Sequence, residues 1–390
     1  MRVNCEKMVK ILTIIGARPQ IIKAAAVSRA IKNHFEGRIA EVIVHTGQHY
    51  DNNMSQVFID ELGIPEPHYN LAVGSGPHGK QTALMIEGIE DIIKKEMPDY
   101  LLVYGDTNST LAGGIAASKV HVPIIHVEAG LRSFNKSMPE EINRILCDHV
   151  STLLFTPTTT GFNNLLKEGF LNTNSGKASI DNPHVHHCGD IMYDNTLFFS
   201  SIAERKSTII EQLELHGIQF ILATIHRDNN TDDASRLSSI FKALDILSRK
   251  HGIRIVLPLH PRTSGLMKVK LDSDLFESVM NNELLQIIQP VSFLDMICLE
   301  KYSSMIITDS GGVQKEAYFF QKPCIIARQE TEWLEIIEAG AGKVVDADTD
   351  RLLQGAEHFL DNPSIEYKPV FGDGKAAEFI CNKIIENSII

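Results

Sequence analysis

Twice along the chain, short apolar runs rich in β-branched residues alternate with longer amphipathic stretches, and this double alternation restricts the fold more than any other feature. Such a pattern marks βαβ units and a parallel sheet. The first series places strands at 10–15, 41–45, 100–104, 124–127, 153–156 and 184–188. The second places them at 220–225, 254–259, 285–288, 305–308, 324–327 and 343–345. An α/β chain of two Rossmann-like domains is expected, one over 8–190 and one over 191–374, hinged near Asp190. The helical spacing of 375–390 suggests a last helix that crosses back to the first domain. A length of 390 residues fits two cores better than one.

Apolar residues make up 43% of the chain and charged residues 22%, the composition of a packed globule. The formal charge of -12, with no cluster of Lys and Arg, argues against nucleic acid as a partner. A small anion held by local groups stays compatible with it. Cys5, Cys147, Cys188, Cys298, Cys324 and Cys381 are scattered without CxxC spacing, so they read as reduced thiols. No uncharged apolar stretch reaches the roughly 18 residues of a membrane span, and no apolar signal core precedes Lys10. No membrane partner is expected, and a cytoplasmic location follows. Neither an HxxxH nor a His/Asp spacing marks a metal site, so no metal and no cofactor are expected.

In parallel sheets ligands bind beyond the carboxyl ends of the strands, so the polar residues there carry the argument. The first strand runs into Gly16-Ala17-Arg18-Pro19-Gln20, where Arg18 and Lys23 flank a helix start that suits a phosphate. In the second half, Ser310-Gly311-Gly312 opens a helix whose N–H groups can face an anion. Glu316, further along it, could accept two ribose hydroxyls; Ser310 could equally be a plain helix cap. Asp106 and Glu128 end adjacent strands and should share one cleft, with Glu140 and Glu141 following Pro139. Buried together, carboxylates must be paired or protonated, which makes them candidate acids and bases. Glu140 with Arg144, four residues on, could also be an ordinary surface ion pair. His226 and His260 end two strands of the second half beside Arg227 and Arg262, where a cation would neutralise a pyrophosphate.

Taken together these residues resemble the non-hydrolysing UDP-N-acetylglucosamine 2-epimerase family over nearly the whole chain, from Met8 to about Ile385. The shared landmarks are Gly16-Ala17-Arg18-Pro19 with Lys23, His45-Thr46-Gly47-Gln48-His49, and Gly105-Asp106-Thr107. They continue with the stretch from His126 to Arg132, Pro139-Glu140-Glu141 with Asn143-Arg144, and Asp309-Ser310-Gly311-Gly312. The resemblance implies the glycosyltransferase-B architecture, two Rossmann-like domains with a cleft that closes over UDP, and a homodimer. It implies that Asp106, Glu128 and Glu140 are the acid and base carboxylates and that His226 supports the diphosphate. Arg18, Lys23, Ser310 and Glu316 would hold the nucleotide, with Arg144, His260, Arg262, Gly311 and Gly312 also at the site. The implied reaction removes the C2 proton with anti elimination of UDP, then returns UDP and reprotonates the other face.

The segment from Gly130 to Pro139 and the run His260-Pro261-Arg262-Thr263 resemble the branch acting on UDP-2,3-diacetamido-2,3-dideoxyglucuronate, which makes the manno isomer for surface polysaccharide. Arg262 or Lys136 would then meet the sugar carboxylate. UDP-N-acetylglucosamine is the alternative substrate. A UDP-dependent glycosyltransferase would share the fold, and the carboxylate cluster of the first half argues against it.

Overall fold

The computed structural model describes residues 8–48, 66–171, 174–362 and 364–389, so Cys5 and His49 lie outside the described residues. The chain divides into two compact units, Met1–Asn195 with Pro369–Ile390 and Thr196–Lys368.

Unit 1 is built on β1 (Val9–Ile15), β2 (Ile39–His45), β3 (Tyr69–Asn70), β4 (Tyr100–Tyr104), β5 (Ile124–Val127), β6 (Leu153–Thr156) and β7 (His184–His187). They form one sheet in the order β3-β2-β1-β4-β5-β6-β7, every neighbouring pair parallel. β3 is absent from the strands read in the sequence. Its two residues pair with Val44 and His45 at the sheet edge and show no apolar run. β4 reads YLLVY with every residue buried, the continuous apolar pattern of a parallel sheet. Leu12, Ile14, Leu101 and Val103 pack there against Met85, Ile89, Ala112 and Ala116.

Unit 2 holds β8 (Phe220–Thr224), β9 (Arg254–Pro258), β10 (Leu285–Ile288), β11 (Met305–Thr308), β12 (Cys324–Ile326) and β13 (Gly342–Val344). Its parallel order is β10-β9-β8-β11-β12-β13. Ile221, Ile255, Leu257 and Ile307 form its core with Leu237, Phe241 and Leu244 of the helix Ala234–His251. Each sheet grows outward in both directions from a central pair, β1 and β4 in unit 1 and β8 and β11 in unit 2. At such a reversal the following helices diverge to opposite faces and leave a crevice beyond the strand ends. Asp106 follows β4, His226 follows β8, and Asp309 follows β11.

The helix Ala376–Ile389 belongs to unit 1 and packs against the helix Arg18–His34. Asp194 caps it, accepting from the Ala376 N–H at 3.1 Å and the Ala377 N–H at 2.8 Å. Just before that helix the chain crosses residues 188–190 backbone to backbone. Asp190 N–H donates to the Phe371 carbonyl at 2.9 Å. A Cβ on Gly189 would stand 2.9 Å from that carbonyl oxygen, and one on Gly372 would stand 2.9 Å from the Gly189 Cα. Gly189 also has φ +84°, where a side chain is strained. Among the described residues no helix is long and apolar enough to cross a membrane, and no three His, Cys, Asp or Glu side chains group to hold a metal ion.

Gly189→Ala should therefore lower stability by about 2 kcal/mol or more, because a left-handed alanine costs about 1–2 kcal/mol before any steric overlap. Thermal unfolding of the variant checks this, and an unchanged midpoint would remove the crossing as a constraint.

Candidate active site

Gly105 leaves β4 with φ +62°, a conformation that lets the chain turn at once under Asp106. A Cβ at that glycine would lie 3.2 Å from Glu128 Oε2 and 3.2 Å from Lys23 Nζ, so the turn runs directly beneath that pair. Glu128 follows β5 and is itself left-handed, φ +73°, which for a glutamate is strained and needs support from its surroundings. Its own N–H and that of Ala129 both donate to the Phe155 carbonyl at 3.0 Å. Lys23, from the helix Arg18–His34, forms an ion pair with Glu128, and both side chains are largely buried. Gln20 of the same helix accepts from the Gly16 and Ala17 N–H groups and donates to the Tyr104 carbonyl at 3.0 Å. The turns after β1 and β4 are joined through that one amide.

Asp106 is met by Arg144 of the helix Pro139–Val150, whose guanidinium also donates to Glu141 at 3.0 Å. The Asp106 side chain keeps 30% of its surface. Burial pushes its pKa above the usual value; Arg144 and Lys23 pull the other way, and Glu128 adds to the rise. Asn143 donates to the Asp106 carbonyl at 2.9 Å, so a single helix orients both ends of the residue.

The sequence left open a surface pair between Glu140 and Arg144. In the structure Arg144 reaches inward to Asp106 and Glu141 instead, and Glu140 is exposed in the first turn of its helix. Burial of Glu141 goes with this choice of partner. Glu141, on the buried side, accepts the Ser133 and Phe134 N–H groups at 2.9 Å each and thereby folds the preceding loop onto the helix. Burial alone would raise the Glu141 pKa, but those N–H groups and Arg144 outweigh it and hold the carboxyl below its ordinary value. Arg18 and Lys136 are exposed.

In unit 2 the organising group is Asp309, fully buried after β11. Its carboxylate accepts from the His226 N–H at 3.1 Å, the Arg227 N–H at 3.0 Å and Asn230 Nδ2 at 3.1 Å. His226 Nδ1 lies 3.2 Å from the same carboxylate, with 54% of the side chain exposed. One buried carboxylate thus holds the turn after β8 against the turn after β11. Ser310 caps the helix Gly311–Phe319, accepting from the Val313 N–H at 3.5 Å. Trp333 Nε1 donates to the Gly311 carbonyl at 3.0 Å, and Lys315 Nζ stands 4.3 Å from the Trp333 ring centroid. Glu316 is hydrogen-bonded to Glu300, which is buried; burial and the Glu316 charge drive the Glu300 pKa well above normal, so the two carboxyls share a proton. His260 caps the helix Pro261–Lys270, and Arg262 on that helix is held in exposed ion pairs to Asp228 and Asp232.

Several candidate site residues gather in two sets, one at each switch point. Asp106, Glu128, Lys23 and Arg144 meet around Gly105 in unit 1; His226, Ser310, Gly311 and Asp309 meet in unit 2. Gln20, Glu300 and Trp333 carry no role in the sequence reading; for Gln20 and Glu300, polar residues set within apolar helical stripes are the available signal. Glu141, read there as a candidate acid or base beside Glu140, instead anchors the preceding loop and Arg144. Arg144→Met should raise the titration midpoint of the Asp106 carboxyl by about one pH unit or more, since a cation in contact holds a carboxylate down by about 1–3. Carboxyl ¹³C NMR across pH checks this, and an unmoved midpoint would show that Arg144 does not govern it.

A family model described as UDP-N-acetylglucosamine 2-epimerase matches residues 30–385. The chain is 48% identical over 374 residues to UDP-2,3-diacetamido-2,3-dideoxy-D-glucuronate 2-epimerase of Pseudomonas aeruginosa, covering 95% of this chain and 98% of that one. It is 40% identical over 373 residues to UDP-N-acetylglucosamine 2-epimerase of Methanocaldococcus jannaschii, covering 95% and 97%. A crystal structure of the M. jannaschii enzyme in complex with UDP-GlcNAc and UDP superposes with a TM-score of 0.79 at 39% identity, covering 97% of this chain and 99% of that one. The Neisseria meningitidis enzyme bound to UDP-GlcNAc superposes at 0.81 with 28% identity, covering 97% and 100%.

Proposed function

The chain belongs to the UDP-N-acetylglucosamine 2-epimerase family, and we propose that it inverts C2 of UDP-2,3-diacetamido-2,3-dideoxy-D-glucuronate by elimination and return of UDP. The observation that carries the reading is the pair of carboxylates Asp106 and Glu128, set over one glycine turn and each matched to its own cation. A proton on C2 is hardly acidic. Its removal needs a base held at the carbon and a leaving group whose charge is already accommodated.

In this scheme one carboxylate takes the C2 proton while the C1–O bond breaks, its electron pair leaving with UDP and a C1=C2 bond forming. Return of UDP to C1 with protonation of the opposite face of C2 completes the inversion, so no atom is gained or lost. Asp106 and Glu128 carry these transfers, with Glu140 as the third carboxylate. Arg18 and Lys23 are assigned to the nucleotide. His226, His260, Ser310, Gly311 and Gly312 are assigned to the diphosphate, and Glu316 to the ribose. The Asp309 anchor supports this role, because it fixes the His226 turn beside a helix N-terminus suited to an anion.

The choice of the diacetamido uronate follows the P. aeruginosa relative at 48% identity. UDP-N-acetylglucosamine is the second reading, favoured by the M. jannaschii relative at 40% identity and by its complex with UDP-GlcNAc. We place the enzyme in the cytoplasm as a homodimer. The free thiols Cys147, Cys188, Cys298, Cys324 and Cys381 suit a reducing compartment. Ile142 and Leu146, exposed one turn apart on the helix Pro139–Val150, offer apolar surface to a second copy.

Incubation with each sugar nucleotide in D2O without acceptor should place deuterium at C2 of both epimers with the UDP linkage intact, and the faster sugar names the substrate. Accumulating free UDP would indicate hydrolysis instead, and no exchange on either sugar would sink the epimerase reading. The uronate carboxylate is a separate question. Arg262 would have to exchange two carboxylates of its own unit for the sugar's, so Arg262→Ala should weaken the acidic sugar about tenfold and leave UDP-N-acetylglucosamine unchanged. An unchanged KM for the acidic sugar would exclude Arg262 and leave Lys136.

A further inference from the structure

His126 lies in β5 with no exposed surface. Its Nε2 is 2.8 Å from the Gly105 carbonyl oxygen and its Nδ1 is 2.7 Å from Asp148 Oδ1. A carbonyl has no proton to offer, so Nε2 carries hydrogen and donates. The Asp148 Oδ2 accepts from the Gly130 N–H at 3.1 Å and from the Arg132 guanidinium at 2.7 Å. Those two donors hold Asp148 ionised, which leaves the proton of the His126–Asp148 contact on Nδ1. Both ring nitrogens therefore donate, and the buried ring is an imidazolium. Burial opposes that charge, but Cys147 and Asp148 outweigh it and keep the ring well above an ordinary histidine.

We propose that His126 is a positioning residue for the epimerisation: bonded to Gly105 on one side and through Asp148 to Gly130 on the other, it locks together the two turns that carry Asp106 and Glu128. The proposal rests on the assignment of the proton transfers to those two carboxylates. β4 and β5 are neighbours, with Tyr104 in register with Val127, so the two turns leave the sheet side by side. Gly105 N–H donates to the Val127 carbonyl at 3.0 Å, and beyond that bond the backbones part. From there the contact is made by side chains. His126 takes the carbonyl of the turn before Asp106, and Asp148 takes the N–H two residues after Glu128. The strained φ of Glu128 makes such a fastening necessary, because a residue held in a rare conformation relaxes when its surroundings loosen.

The groups facing the ring are Asp148 and Cys147 from the helix Pro139–Val150 and the Gly105 carbonyl from the turn after β4. Arg132 closes the far side, pairing with Asp148 and with Glu168 at 2.7 Å each. This second carboxylate keeps Arg132 from drawing Asp148 away from the histidine. The chain of charges runs His126, Asp148, Arg132, Glu168, alternating in sign throughout.

The test has a part that needs no variant. In the wild-type protein, ¹⁵N NMR should show both His126 ring nitrogens still protonated well above the ordinary histidine midpoint near 6.5. Loss of the Nδ1 proton close to that ordinary midpoint overturns the proposal. In the second part, His126→Asn keeps a donor near the Nδ1 position and His126→Gln keeps one near the Nε2 position, so each unfastens one turn. Each should lower kcat by about 10²-fold, the scale of a 1 Å misplacement, with KM and UDP affinity within about threefold of wild type. Either variant keeping kcat within about threefold overturns the lock. Asp106→Asn and Glu128→Gln, assayed alongside, separate the two readings. If those two remain active, the carboxylate assignment fails; if they are inactive while His126→Gln is active, the lock alone fails.

Discussion

Carboxylates gathered at one end of a sheet cannot stay ionised without partners, and the rest of unit 1 is arranged around that requirement. Asp106, Glu128, Glu141 and Asp148 lie within neighbouring turns and one helix, and each is met by a cation. An unpaired buried charge would be penalised by several kcal/mol. Lys23 comes from the helix after β1 and Arg144 from the helix after β5, so the two cations that face Glu128 and Asp106 approach from different elements. The pairing therefore constrains the fold as much as the chemistry: moving either helix strands a charge.

Unit 2 meets the same requirement by other means. Asp309 is fully buried and is satisfied mainly by N–H groups, two from the backbone and one from Asn230. Glu300 and Glu316 are satisfied by sharing a proton. Asn230 also donates to the Ala327 carbonyl and accepts from Arg236, which in turn pairs with Asp346 after β13. Turns after four strands, β8, β11, β12 and β13, are thus joined through polar side chains.

The alternation of apolar runs revealed both sheets, because a parallel strand buried on two faces needs an uninterrupted apolar sequence. β3 escaped that reading because two residues at an edge bury too little to leave a pattern. At the site, Asp106 and Glu128 were visible because carboxylates stand directly after apolar strands, where nothing in the core can use them. Glu140 and Glu141 could not be told apart from the sequence, since adjacent carboxylates in a first turn look alike until the helix is rotated against its neighbours. Packing turned Glu141 inward, with Arg144 following it, and left Glu140 exposed.

What the sequence determined by itself is local: which runs become strands, which turns carry carboxylates, histidines and glycines, and where helices begin. Those follow from periodicity and from the conformational limits of single residues. Only the tertiary structure decided the pairings, Lys23 with Glu128, Arg144 with Asp106, His126 with Asp148, and Asp309 with the His226 turn. Their partners stand between 22 and 105 residues apart in the chain, as with His126 and Asp148 or Lys23 and Glu128. The physical reason is that a charge selects its partner by distance and burial in space, quantities that exist only after the sheets have brought their strand ends together.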